Sequence, residues 1–416
     1  MKRTTIIDTF FIVVLLATIT EVFTFVLKGL FIGKVVSLAD EFFAAGLIVY
    51  TCFSRRKFLN KKLLWSILLF TIAGFLGNYL RRTSIEVAVL GMFSTLKPVL
   101  VFWCFSQFDF TWNDFHRLMK HFAFFFPLIA ISYIADFLFI DFRKFLGIGP
   151  CEYRAGLRTL GGLFVKQTNG ILWSLVYFIY YRFYSPIKFR GRSYFSMAFI
   201  IASIKVKDIL GLLIGIIITS VKKIKIKYAV VILPLIVFLF LLYSLLLPKH
   251  YSYYFEGDPK DTNIARVALT YTSFSIGNDF FPLGVGFGQF GSPISNNWNS
   301  IVYQMYGIDN IWGLTGEDDV IFMYDTFWPM ILGETGYLGT LIYMFILYFS
   351  FGPFLKRFCN STSDKLVLFP SLLFIIFLVA STGKPVFSGP PHSFVLWGIA
   401  GIFYSLSKKT YTKDSQ

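Results

Sequence analysis

The sequence predicts an all-α polytopic membrane protein, with about twelve transmembrane helices and one long external loop between the ninth and tenth. Three observations predict it. Of 416 residues, 56% are hydrophobic and only 15% charged, where a soluble chain carries about a quarter charged residues. Apolar stretches of spanning length recur along the chain. They must be helices, because hydrocarbon offers backbone polar groups no other partner. Late in the chain, one polar stretch near 248–324 interrupts the pattern.

The candidate spans lie near 6–27, 35–53, 63–80, 85–108, 122–140, 170–184, 193–204, 208–221, 228–247, 327–350, 366–380 and 391–406. The seventh and eighth are short and nearly continuous, and read as one broken helix or a re-entrant pair. The chain thus divides into a bundle over 1–247, a loop over 248–324, and a second bundle with a short tail over 325–416. The first stretch opens MKR, but Asp8 and Glu21 interrupt it, so it reads as a retained span and not as a cleaved signal.

Basic residues set the orientation. With the N-terminus inside, the runs SRRKFLNKK (54–62) and KKIKIK (222–227) both fall inside, as the positive-inside rule asks. Both termini are then cytoplasmic and the long loop faces outward. The net charge of +16 is accounted for by topology and lipid headgroups, so no nucleic-acid partner is expected. Of the four cysteines, only Cys151 falls in an outer loop, which leaves no external disulfide. The four histidines lack metal-ligand spacing, and no metal or cofactor is expected.

Charges within spans are costly and mark functional candidates. Asp40 and Glu41 lie in the second span and Lys97 in the fourth, where an internal ion pair competes with a functional reading. Lys205, Lys207 and Asp208 lie at the break between the seventh and eighth spans, where the lysines either snorkel to the interface or serve a ligand. The outer face breaks the sign rule, with Arg81, Arg82, Arg143, Lys144, Arg154, Arg158, Lys166, Lys249, Lys260, Arg266 and Lys384. Arginine suits bidentate grip of phosphate, and a membrane-borne pyrophosphate fits this set. Arg154 and Arg158 are four apart, a spacing that a helical face would share.

In the loop, GFGQFG (286–291) matches the dinucleotide pattern. That reading fails because the motif needs a strand before it and a helix after it in a βαβ unit. A tight backbone turn at the membrane surface remains. The segment 296–320 is rich in Trp, Tyr and Asn, which suits either sugar binding or an interfacial belt. Glu317, Asp318 and Asp319 read as a solvated turn before a cation site. Asp325 precedes a span and is either a general base or a helix cap. Glu334 lies inside that span.

These pieces together resemble the O-antigen polymerase and ligase superfamily, the Wzy-type glycan polymerases and their ligase relatives. The matching segments are RTLGGLFVKQTNG (158–170), SIKVKDILGLL (203–213), Arg266 in NIARVALTY (263–271), FPLGVGFGQFG (281–291) and DTFWPMILGETGYLG (325–339). The resemblance implies a GT-C-like glycosyltransferase in a bacterial plasma membrane. Its donor and acceptor would be oligosaccharides on undecaprenyl pyrophosphate, joined by metal-independent inverting transfer, with a chain-length regulator as a further candidate partner. It implies catalytic roles for Arg266 and Asp325. Arg154 and Arg158 would clamp pyrophosphate, supported by Lys205, Lys207, Arg81 and Arg82. Gly284, Gly286 and Gly288 would shape the loop around the donor, beside Glu334. Ligase members place a histidine where this chain has Asp325, which favours the polymerase branch. Ligase-type transfer and glycan transport stand as alternatives. For transport, one helix break and no evident inverted repeat fit poorly.

Overall fold

The computed structural model describes residues 2–27, 38–54, 60–148, 152–154, 156–221, 264–314, 322–323 and 326–414. The described residues are mostly helical, with almost no sheet. In order come α1 (Arg3–Leu27), α2 (Ala39–Phe53), α3 (Lys61–Leu80), α4 (Ile85–Gln107), α5 (Trp112–Leu138) and the short α6 (Phe142–Phe145). A two-stranded hairpin, β1 (Tyr153–Arg154) and β2 (Leu157–Arg158), is the one sheet among the described residues. Then follow α7 (Gln167–Ile179), α8 (Gly191–Ala202), α9 (Val206–Thr219), α10 (Ala265–Asp279), α11 (Pro293–Asn297), α12 (Val302–Met305), α13 (Trp328–Asn360), α14 (Lys365–Ala380) and α15 (His392–Asp414). Four of these, α3, α4, α5 and α13, are long and apolar enough to cross a membrane, and α14 is a shorter apolar helix. The predicted ninth span, 228–247, lies outside the described residues, so the number of crossings stays an expectation.

Local sequence sets the helix starts. Asn60 sits in the left-handed region and its side chain accepts from Leu63 N at 3.1 Å. Ser84 caps α4 through Val87 N at 3.3 Å. Thr111 and Asp114 form a reciprocal capping box at the head of α5. Each cap satisfies an orphan N–H of a first turn.

The long helices run alternately between two ends of the bundle. One end gathers the start of α1, which meets α5 through Asp8 and Arg117 at 2.7 Å, and the link from α4 to α5, where Phe110 N donates to Ser405 Oγ of α15 at 2.9 Å. This is the terminal end. The other gathers the α3–α4 turn, the hairpin, the α8–α9 link, the segment around α10 to α12, and the α14–α15 link. This is the loop end. The core between them is aromatic. Phe115 packs edge-on to Phe403 at 4.9 Å, and Phe351 packs on Phe374 at 4.4 Å, arrangements that add to area burial.

The short seventh and eighth spans are a pair of helices and not one broken helix. Arg192, at the start of α8, meets Tyr181 Oη at 3.0 Å, and Phe199 near its end stacks on Tyr133. Leu160 N donates to Ala202 O at 3.0 Å, which places the end of α8 at the loop end. From there α9 returns along α14, with Gly211 beside Ile376 and Gly215 beside Leu372. Thr362 then bonds Val221 O at the terminal end. The two helices are an antiparallel hairpin, turned at residues 203–205 by Ile204 in the left-handed region (φ 50°).

Candidate functional site

The α8–α9 turn carries Lys205, Lys207 and Asp208 to the loop end. Asp208 is buried at the third residue of α9, and Lys384, from the α14–α15 link, reaches it at 2.5 Å. Lys207 lays its ammonium over Gly383, where any side chain would collide with it. The hairpin brings in Arg154, paired with Glu152 at 2.9 Å. Lys205, half-buried in the turn, faces these groups. Burial pushes its ammonium down to about 7, Lys384 and Arg154 push the same way, and Asp208 and Glu152 oppose them. His392, at the head of α15, borders the cluster and bonds Thr168 O at 3.1 Å. Four cations therefore converge around two carboxylates, a net positive surface fit for an anion.

Of the residues expected to grip pyrophosphate, Arg154, Lys205 and Lys207 lie in this cluster. Arg158 does not join them through a shared helix face. It stands on β2, opposite Tyr153, while Arg154 pairs with Leu157. The spacing of four is thus spent on a tight hairpin, with Gly156 in the left-handed region (φ 76°) between the arginines. Arg158 turns to Asp136 at 2.8 Å and to the carbonyls of Phe139 and Ile140. Asp136 is fully buried and also accepts from Gly161 N at 2.8 Å and Gly162 N at 2.9 Å. Beside it, buried Arg143 donates to Val165 O at 3.2 Å and fills the space that a side chain at Gly161 would need. Gly161 leaves room for that guanidinium, and Gly162, with φ 56°, lies against Ser132 Oγ and the Tyr133 ring.

The glycine run is built into the bundle. Gly284, Gly286 and Gly288 all have positive φ (69°, 97° and 74°). Gly284 lies on the backbone of Gly333 to Gly336 in α13, Gly286 on Asn78 of α3, and Gly288 on Val87 of α4. Asn78 holds the run at both edges, accepting from Phe287 N at 2.8 Å and donating to Phe287 O at 2.9 Å. The Phe287 ring drops onto Gly74. Glu334 is buried beneath the run, with Phe290 N donating to it at 3.4 Å, and Gly286 N donates to its main-chain carbonyl at 2.8 Å. These glycines shape the loop by letting it sink between three helices.

Arg81 stacks on Phe280, its guanidinium carbon 3.6 Å from the ring centroid, and Arg82 follows in the left-handed region (φ 53°). Arg266 lies half-buried in the first turn of α10, where its carbonyl accepts from Thr270 Oγ1. Asp325, the acidic cluster Glu317 to Asp319, Cys151, Lys249 and Lys260 lie outside the described residues. Lys97 pairs with both Asp40 and Glu41, the latter at 3.4 Å, which meets the ion-pair reading. No group of three or more metal-ligating side chains occurs among the described residues.

In the sequence Lys384 stands among the outer cations and Asp208 at the helix break, with nothing to join them. The joining needs the α14–α15 link folded onto the α8–α9 turn, a contact across 176 residues. His392 carried no local signal at all. The chain matches no protein-family model, and a comparison with curated proteins finds no match either.

Proposed function

We propose that the protein is a membrane glycosyltransferase that polymerises oligosaccharide repeat units carried on a polyprenyl pyrophosphate. One observation carries the proposal: Arg154, Lys205, Lys207 and Lys384 are gathered from three separate links at one end of a bundle of apolar helices. A lipid-borne pyrophosphate presents its charge at the level where such a cluster sits. Pyrophosphate is a competent leaving group once its developing charge is balanced, and preorganised cations do that without reorganisation. The bond that forms joins an acceptor sugar hydroxyl to the donor's anomeric carbon. The bond that breaks is the one from that carbon to the pyrophosphate, and the hydroxyl proton passes to a base. Asp325 is the proposed base, and Arg266 the proposed partner of the donor phosphates. The lysines at 205 and 207 grip phosphate as point charges, without the bidentate geometry of arginine.

The test is a product ladder. Purified protein in lipid bilayers, given lipid-linked repeat units, should yield glycans of increasing length. The ladder should be lost with Arg266→Ala and kept in the presence of a chelator. Folded protein that yields no ladder would overturn the polymerase reading. Transfer to a different acceptor or transport of the lipid-linked glycan would then be measured directly.

A further inference from the structure

The outward face of α10 carries exposed aromatic rings among short polar side chains, Thr270, Ser275, Asn278 and Asp279, and the rings adjoin the exposed apolar face of α13. On α13, Leu338, Leu341, Met344, Phe345 and Tyr348 are exposed, three and four residues apart. That spacing is one stripe of a helix, on a helix long and apolar enough to cross a membrane. The stripe reaches back to the break in α13 at Gly336 (φ 63°). Tyr337 continues it, bonds Asn278 Oδ1 of α10 at 2.9 Å, and packs against Phe281, with ring centroids 6.1 Å apart. Phe281 is 71% exposed, and on α10 itself Phe274 and Tyr271 are more than half exposed. Residues 271, 274 and 278 share a helix face. The opposite face, Ala268, Leu269 and Ile276, packs into the small core formed with Val302, Tyr303 and Ile308. The level is marked by Arg81, an exposed cation stacked on Phe280 at the top of α3.

We propose that this face of α10, with Phe281, is a lipid-contacting surface that seats the segment 264–314 in the headgroup–acyl boundary of the leaflet at the loop end. The occupant is lipid, because the exposed rings of Tyr271, Phe274 and Phe281 adjoin the apolar stripe of α13 through Tyr337, while the polar side chains between them suit the headgroup level. Tyrosine and phenylalanine at the rim, with a guanidinium beside them, are the composition that boundary favours. The segment is then not a free-standing domain in water. It is tied at one edge to the bundle by Asn78 and at the other edge to the bilayer by its aromatic rings.

The test is independent of any enzymatic activity. In a full-length background with Cys52, Cys104, Cys151 and Cys359 replaced, single cysteines at positions 274 and 281 carry nitroxide labels. The protein is reconstituted in vesicles of phosphatidylethanolamine and phosphatidylglycerol. Collision of each label with oxygen, which concentrates in lipid, is compared with collision with a water-soluble nickel chelate. Position 341 on α13 is the lipid reference, and position 363, in an exposed turn between α13 and α14, is the water reference. Labels at 274 and 281 are expected to shift toward the ratio at 341. A ratio nearer to that at 363 would overturn the proposal and leave the rings as a water-facing surface, such as one for sugars.

Discussion

Asp136 shows how a single carboxylate can decide a local structure. It is buried with Arg158 on one oxygen and two backbone N–H groups on the other. Removing one partner of a buried pair leaves the other uncompensated, at roughly 3–5 kcal/mol. Asp136→Ala should therefore lower thermal stability in detergent by about that amount, and Arg158→Ala should do so too. If Arg158→Ala left stability untouched and abolished pyrophosphate binding, Arg158 would be a ligand group after all. Lys205 behaves differently, because its ammonium is held down to about 7 from an ordinary 10.5. Its charge is present below that value and lost as pH rises through it. Affinity for pyrophosphate should fall as pH rises through about 7, and Lys205→Arg, always protonated, should remove that dependence. The stability sign is the reverse. Between the folded and unfolded values the unfolded chain binds more protons, so Lys205 makes the fold more stable as pH rises across that window.

The glycine run and the helix hairpin show what the sequence reveals of an element and what it hides. GVGFGQFG announces a tight backbone path, and rejecting a dinucleotide site follows from the missing βαβ context. Which surfaces demand the glycines is not legible, because Asn78 contacts the run across 209 residues. Gly286→Ala would place a methyl on Asn78 and force a left-handed backbone on a residue with a side chain. A loss of roughly 1–3 kcal/mol follows from the strained backbone. It should be visible as a lowered midpoint in a thermal scan, with expression falling alongside. Hydropathy likewise located α8 and α9, but not their course. At 12 and 14 residues each is shorter than a typical span. Only the contacts with Tyr181, Tyr133, Ile376 and Leu372 show that they run side by side in opposite directions.

The bundle as a whole follows from composition, since apolar stretches without other partners must be helices, and their alternation follows from chain connectivity. The basic runs then predict which end faces the cytoplasm. Cysteines placed at Ser363, between α13 and α14, and at Asn299, at the loop end, should react with a membrane-impermeant thiol reagent from opposite sides of right-side-out vesicles. Reaction of both from the same side would break the alternation. The candidate site was legible as a list of cations and illegible as a place. Arg154, Lys205 and Lys384 come from three links, and only the packed bundle sets them around Asp208 and Glu152. Whether this cluster holds the anion is tested by binding of undecaprenyl pyrophosphate to the reconstituted protein, against the same protein with Lys205→Ala and Lys384→Ala together. The wild type is expected to bind tightly and the double variant to lose that binding, while Arg182→Ala at the terminal end leaves it unchanged. Equal binding by the wild type and the double variant would show that the anion is held elsewhere.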